Sequence, residues 1–464
     1  MEFVNRPSLH VQNIFDVFNP FVFGVNGYLK MKCVQVQNRV VSMANPGDIV
    51  AVGDDCPQAF IDYMLSIRKI GRAIILRYSV KRDERKYLNA YSVFKVLPSN
   101  PIWGSVIQRN PILNPYIKSH AIYKAANEAG MKIPERTWRA EVEAQVSQKM
   151  NDKANLYREC EKLSLPIPLY LIANGESLAE TALDLLSRED RPIYIRQARS
   201  GGAFGNITAE RFKNKYIIHE AGPHLLTKRE FIESIRQYVK ENIWREFVVT
   251  ELLDLYASPG TLFYVSDTEV KIIAHTYQLL NQRRRFLGFM YPITDANIAR
   301  HINWVEQALY ALVEPWRRLG YRGFGNVDWM VTKDGHYYIA ELNARQTAVV
   351  PCLKIENAVA ERGIGLDEVL EPNLSVFTID RLYFKRPISF AEAYSVLSKS
   401  DLLWGQGKSE AGIVITIPPA PAFGINSIGL MALGPDLLSA YKVYKRAIWV
   451  LGSKEGKLLF EPQI

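Results

Sequence analysis

Two apolar runs separated by a four-residue turn constrain this chain most tightly. Val327-Asp-Trp-Met-Val331 and His336-Tyr-Tyr-Ile-Ala340 both read as strands, and Thr332-Lys-Asp-Gly335 between them has the Asp/Gly chemistry of a tight turn. The pattern predicts an antiparallel hairpin. Side chains alternate along a strand, so Asp328 and Glu341 fall side by side near one end, with Asn343 on the face of Glu341. Two carboxylates and an amide carbonyl are hard oxygen ligands, a set that suits Mg²⁺ shared with phosphate oxygens. Without a cation, apposed acids repel and one carboxyl titrates high. The alternative places both acids on solvated faces; their setting inside apolar strands favours the metal.

Three further segments carry candidate chemistry. Pro192-Ile-Tyr-Ile-Arg196 reads as a strand ending in a cation. It runs into Arg199-Ser200-Gly201-Gly202 and Gly205, a glycine-rich loop whose amides can approach phosphate oxygens and which can close as a lid. An ordinary glycine-rich hairpin tip is the competing reading. Val248-Val-Thr-Glu251-Leu252-Leu253-Asp254 reads as a strand running into an apolar connector, which can offer backbone groups to an adenine edge while Glu251 accepts from an exocyclic amine. A core strand with a polar end is the plainer reading. Asp152 is a good N-cap for a helix over 153–165, stopped by Pro166 and Pro168. Lys153 at that positive helix end is a mismatch that points to an anion, unless it is simply solvated.

Composition bounds the rest. At 464 residues the chain suggests about three domains of ~150 residues. Lys+Arg 57 against Asp+Glu 48 gives a formal charge of +9, compatible with an anionic substrate. The basic residues are scattered, so no nucleic-acid partner is expected. Cys33, Cys56, Cys160 and Cys352 lack CxxC spacing, which disfavours a disulfide scaffold or a thiolate zinc site. The N-terminus lacks a charged-then-apolar leader, and Ile413–Leu433, the longest apolar stretch, is broken by prolines and glycines. No membrane association is expected, and a reducing cytoplasm is the simplest location. A βαβ unit is predicted from strands at 48–53 and 72–77 around a helix from Pro57 to Ile67. Residues 98–115 read as a linker, and Pro315 is expected to kink or split a helix over 301–319. Arg283-Arg284-Arg285 reads as a solvated loop, or one that steers a carboxylate or phosphate. His275 reads as a core or edge histidine.

In this order and spacing, Asp152-Lys153, the strand and loop at 192–206, Glu251, Asp328 and Glu341-Leu-Asn343-Ala-Arg345 resemble the ATP-grasp superfamily over roughly residues 117–350. The 192–206 segment is similar to the D-alanine–D-alanine ligase pattern. The resemblance implies a mixed α/β and α+β chain. Residues 1–116 would form a Rossmann-like N-terminal domain, 117–360 a two-lobed ATP-grasp core with a flap at 199–206 and a metal-binding hairpin at 325–345, and 361–464 a mixed extension. It implies ATP with Mg²⁺ or Mn²⁺. Lys153, Arg196 and the 199–206 loop would hold the nucleotide, Glu251, Leu252 and Leu253 the adenine, and Asp328, Glu341 and Asn343 the metal. Arg345, with Lys153 and Arg196, would stabilise the transferring phosphoryl group. The family usually has a ribose-binding carboxylate where this chain has Ala257-Ser258, leaving Asp254 as the substitute, and a lysine where it has Arg196. The segments 383–390 and 421–434 resemble the pheganomycin-type peptide ligases. The implied activity is a carboxylate–amine ligase of specialised metabolism acting through an acylphosphate on an amino acid or small peptide. The sequence does not show the oligomeric state, for which a homodimer is the commonest default. Acyl transfer to a carrier-protein thiol and non-catalytic ATP binding are the alternatives.

Overall fold

The computed structural model describes residues 6–17, 35–79, 90–132, 137–188, 191–200, 205–222, 224–241, 246–361, 369–406, 409–421, 424 and 426–452. Gly201, Gly202 and Cys33 lie outside the described residues. Strands β1 (Ser8–Val11), β2 (Ile49–Gly53), β3 (Ile74–Tyr78) and β4 (Ile112–Pro115) form a sheet ordered β3-β2-β1-β4. Every pairing in it is parallel, including the expected β2–β3 pair, which is joined through the helix Gln58–Ile67. Residues 98–115 are not a linker. They hold the helix Trp103–Gln108 and the edge strand β4, and an edge is where a strand tolerates proline.

A second, antiparallel sheet is ordered β5-β9-β6-β7-β8, from β5 (Tyr170–Asn174), β6 (Ile193–Gln197), β7 (Ile207–Phe212), β8 (Lys215–Ile218) and β9 (Glu246–Glu251). The helices Leu178–Arg188 and Lys228–Glu241 cover it through Leu178, Ala182, Leu185, Phe231 and Ile235, all buried. Burying a large aliphatic or aromatic side chain is worth about 1.5–3 kcal/mol, so this lobe has a core of its own.

The third sheet has nine strands among the described residues. They are β10 (Leu255–Ala257), β11 (Pro259–Val265), β12 (Val270–Leu280), β13 (Phe286–Tyr291), β14 (Gly323–Thr332), β15 (Tyr337–Asn343), β16 (Ser375–Tyr383), β17 (Gly412–Ile417) and β18 (Ser427–Gly434). The order is β10-β14-β11-β12-β13-β16-β18-β17, with β15 on β14. The proline-broken stretch 413–433 thus supplies β17 and β18, and the described strands after residue 361 extend the sheet that begins at β10. Gly288 permits this junction: a Cβ there would lie 1.9 Å from the Thr378 carbonyl oxygen. The helix Ile302–Arg318 lays Val305, Leu309, Leu312 and Trp316 into the core. Pro315 does not split it. That proline sits in the last turn, where the interrupted ladder has little helix left to break. Cys56, Cys160 and Cys352 are free and buried, and among the described residues no helix is long and apolar enough to cross a membrane.

Candidate active site

The hairpin predicted from the two apolar runs is β14–β15, turned at Gly335 with φ 87°. Asp328 and Glu341 are Cα partners across it, as are Asn326 and Asn343. Asp328 is held by three amides: Asn343 Nδ2 donates to its Oδ2 at 2.9 Å, and Gln278 Nε2 and Asn326 Nδ2 donate to Oδ1. Gln278 comes from β12. It reaches Asp328 past Gly260, the β11 partner of Asp328, where an added Cβ would lie 3.0 Å from Gln278 Nε2. Burial, then the neighbouring Glu341 charge, push the Asp328 carboxyl up to about 7.

Lys153 starts the helix Lys153–Lys162, whose N-cap Asp152 accepts from the Asn155 amide at 3.1 Å. Its Nζ lies 3.3 Å from Glu341 Oε1 and donates to the Ser200 carbonyl at 2.7 Å. Burial, opposed by Glu341, lowers its pKa. Arg196 leaves β6, donates to the Ala340 carbonyl at 3.1 Å and to the Tyr157 hydroxyl, and lies 5.4 Å from the Tyr157 ring centroid and 5.8 Å from that of Tyr194. Two aromatic faces and two acceptors hold the guanidinium in place. Arg345 Nη1 donates to Asn151 Oδ1 at 2.6 Å, and its Nε is buried without a partner.

These groups converge on a cavity of about 330 Å³ lined by Arg196, Asp328, Glu341, Asn343 and Arg345, and by the connector residues Glu251, Leu252 and Leu253. Lys153 stands behind the wall and reaches it through Glu341. Other expected residues lie elsewhere. Asp254 is an exposed partner of Lys333 at 2.8 Å and does not line the cavity, which removes it from any ribose contact here. Arg199 pairs with Asp152 at 2.9 Å, half-exposed and off the cavity. Ser200 offers its carbonyl to Lys153. The Gly205 carbonyl accepts from the Tyr238 hydroxyl. Glu251 is engaged from outside, accepting from the Leu169 amide at 3.1 Å and from Arg191 at 3.0 Å. His275 bridges Thr261 and Glu306 and faces away from the cavity.

Sequence reasoning missed Gln278, Asn326 and Tyr157, the groups that hold Asp328 and Arg196 in place. It also missed which of three adjacent arginines turns inward. Arg284, at φ 55°, lines the cavity and donates to the Leu253 carbonyl at 2.9 Å. No pattern among the three marks it.

The chemistry of the acidic face fits a divalent cation. Among the described residues no three His, Cys, Asp or Glu side chains gather, so these residues offer no cage built from such side chains alone. Two carboxylates and an amide suit Mg²⁺, which keeps water or phosphate as its remaining ligands. Asn343 Oδ1 and Asn326 Oδ1 are buried without partners beside Asp328, acceptors that a cation would use.

The fold is shared, among solved structures, with carboxyaminoimidazole ribonucleotide synthetases and biotin carboxylases. The particular likenesses are these. Carboxyaminoimidazole ribonucleotide synthase from Aspergillus clavatus, complexed with ATP, aligns at TM-score 0.51 and 12% identity over 96% of this chain and 99% of that one. Biotin carboxylase from Campylobacter jejuni, in a β-γ-ATP complex, aligns at 0.55 and 11% over 93% and 91%. The biotin carboxylase domain dimer of the 2-oxoglutarate carboxylase of Hydrogenobacter thermophilus, with MgADP, ADP and bicarbonate, aligns at 0.56 and 12% over 92% and 89%. At such identities the likeness establishes the fold alone. No protein-family model and no curated protein matches the sequence.

Proposed function

We propose that this chain is an ATP-dependent carboxylate–amine ligase that forms an amide through an acylphosphate, on an amino acid or small peptide. One observation carries the reading. The paired acids Asp328 and Glu341, with Asn343, open onto the same cavity as the Glu251–Leu253 connector, Arg196 and Arg345. A metal-fitting face, an apolar slot and fixed cations in one space are what phosphoryl transfer from a nucleotide requires. The solved structures with this fold that hold ATP, ADP or MgADP support the same ligands here.

In this reading a substrate carboxylate attacks the terminal phosphorus of ATP and ADP leaves. An amine then attacks the acyl carbon and expels phosphate. Arg196 and Arg345 neutralise charge spread over the moving phosphoryl group, Arg196 already fixed by Tyr157 and the Ala340 carbonyl. Lys153 holds Glu341 and the Ser200 carbonyl, tying the acid pair to the start of the 199–206 loop. The Leu252 and Leu253 side supplies an apolar wall for a purine. Bound Mg²⁺ would supply charge neutralisation between the phosphates and Asp328, Glu341 and Asn343. No nucleophilic side chain is needed. The narrower likeness to the pheganomycin-type ligases, the cytoplasmic setting and a homodimer belong to this proposal.

The test is ADP release with Mg²⁺ across a panel of acids and amines, with mass detection of the amide. Release that needs both partners is the expected result. Release coupled to a carrier thiol, or tight ATP binding without ADP, would displace the reading. Glu341→Gln should lower turnover at least ~100-fold, the usual scale for removing transition-state charge stabilisation. His275→Ala, off the cavity, should retain most of it. Wild-type ADP formation by Glu341→Gln would remove the metal argument.

A further inference from the structure

One wall of the same cavity comes from parts of the chain with no place in nucleotide chemistry. Arg39, on the 3₁₀ turn Asn38–Met43, and Asp380 and Arg381, on β16, all line it. Arg39 is 5% exposed, and its Nη2 donates to Asp380 Oδ2 at 2.8 Å. The Arg39 Nε is buried with no partner. Arg381 makes no hydrogen bond or ion pair among the described residues, and its Nε is also buried and unused. Nearby in sequence to the metal hairpin, Thr347 lines the cavity with a buried, unpartnered Oγ1.

The backbone is shaped to present this pair. Consecutive residues on a regular strand point to opposite faces, yet Asp380 and Arg381 both reach the cavity. The β16–β18 register shifts between Ile379 and Leu382, so a bulge falls on these two residues and turns both toward one space. Charge then decides what that space is for. Of the three charged groups, two are guanidiniums and one is a carboxylate, which is already taken by Arg39. Unused N–H donors on a guanidinium are costly when desolvated, and the cavity lining also holds the apolar Ile14, Val36 and Val349. An oxyanion in the cavity would give the Arg381 Nη groups, which have no hydrogen-bond partner among the described residues, two acceptor oxygens that match their planar fork.

We propose that Arg39, Asp380 and Arg381 form a subsite for an anionic group, carboxylate or phosphate, on the second substrate of the ligase. The site deepens the ligase reading and rests on it for what the substrate does there. The N-terminal turn and the C-terminal strand thereby act together, selecting the substrate by a charged group remote from the reacting one. Arg39 and Asp380 set each other's position, and Arg381 is a donor without a partner among the described residues.

The experiment measures melting temperature with MgADP filling the nucleotide site, then with succinate or inorganic phosphate added. One anion at tens of millimolar should raise the wild-type midpoint by about 2 °C or more. Arg381→Gln should lose that increment, and Arg381→Lys should keep part of it. The anion with the larger Arg381-dependent increment identifies the group as carboxylate or phosphate. An increment undiminished in Arg381→Gln, or none from either anion in the wild type, overturns the proposal. The increment from MgADP alone is read first. Its absence would count against the ligase reading, while the anion arm would still report on this wall.

Discussion

Asp328 sits where burial and a second acid oppose its ionisation, and its carboxyl titrates near 7. The sign of the consequence is definite. A carboxylic acid whose folded pKa lies above its unfolded value binds more protons in the native state between the two values, so its contribution to stability falls as pH rises from about 4 to 7. Without metal, Asp328→Asn should flatten the fall in melting temperature across that window. Protons and metal compete for the same oxygens, so Mg²⁺ binding followed by calorimetry should weaken as pH drops below about 7. Equal Mg²⁺ affinity at pH 5.5 and 8 would contradict this account. Asp328, Glu341 and Asn343 were legible because strand alternation converts spacing into a shared face. Lys153 was legible as a charge set against a helix dipole. Gln278 was not, because nothing in His275-Thr-Tyr-Gln278 says that β12 lies next to β11 with a glycine gap at Gly260.

Among the described glycines, Gly288 at the β13–β16 junction has the least room for a side chain. Gly288 meets the Thr378 carbonyl so closely that any side chain must force the strands apart, and a backbone oxygen cannot rotate away as a side chain can. Overpacking of this kind costs about 1–3 kcal/mol or more. Gly288→Ala should therefore lower the denaturant midpoint clearly, with nucleotide binding retained in the folded fraction. A midpoint unchanged from wild type would show that the sheet yields there. Element reading from the sequence succeeded where the period was clean, as in Gln58–Ile67, Ile302–Arg318 and the β14–β15 hairpin. It failed at 98–115 because proline and asparagine mark loops and sheet edges alike, and only the pairing of β4 with β1 separates the two. The arginine triplet reads either as a solvated loop or as one that steers an anion, and the sequence does not choose between its members, because a left-handed turn, invisible in three identical residues, decides which one faces inward.

At the scale of the whole molecule, residues far apart in sequence meet at one cavity. Arg39 and Asp380 are separated by 341 positions, a juxtaposition no local pattern announces. Arg68 likewise donates to the Ala44 carbonyl at 3.0 Å and to that of Lys354, fastening the N-terminal sheet to the buried helix Val349–Val359. The nine-strand sheet does not stop at the strands that carry the cavity's acidic face, since β13 hands its outer edge to β16. A fragment cut after residue 361 would strip that edge bare, leaving unpaired amides and carbonyls beside the buried Phe289 and Met290. Such a fragment should self-associate and sediment as large particles, and a monodisperse soluble product would refute this. The strands after residue 361 therefore belong to the same sheet as the hairpin and are not a separate appendage. Strands β16 to β18 are the selvedge that keeps the cloth from fraying.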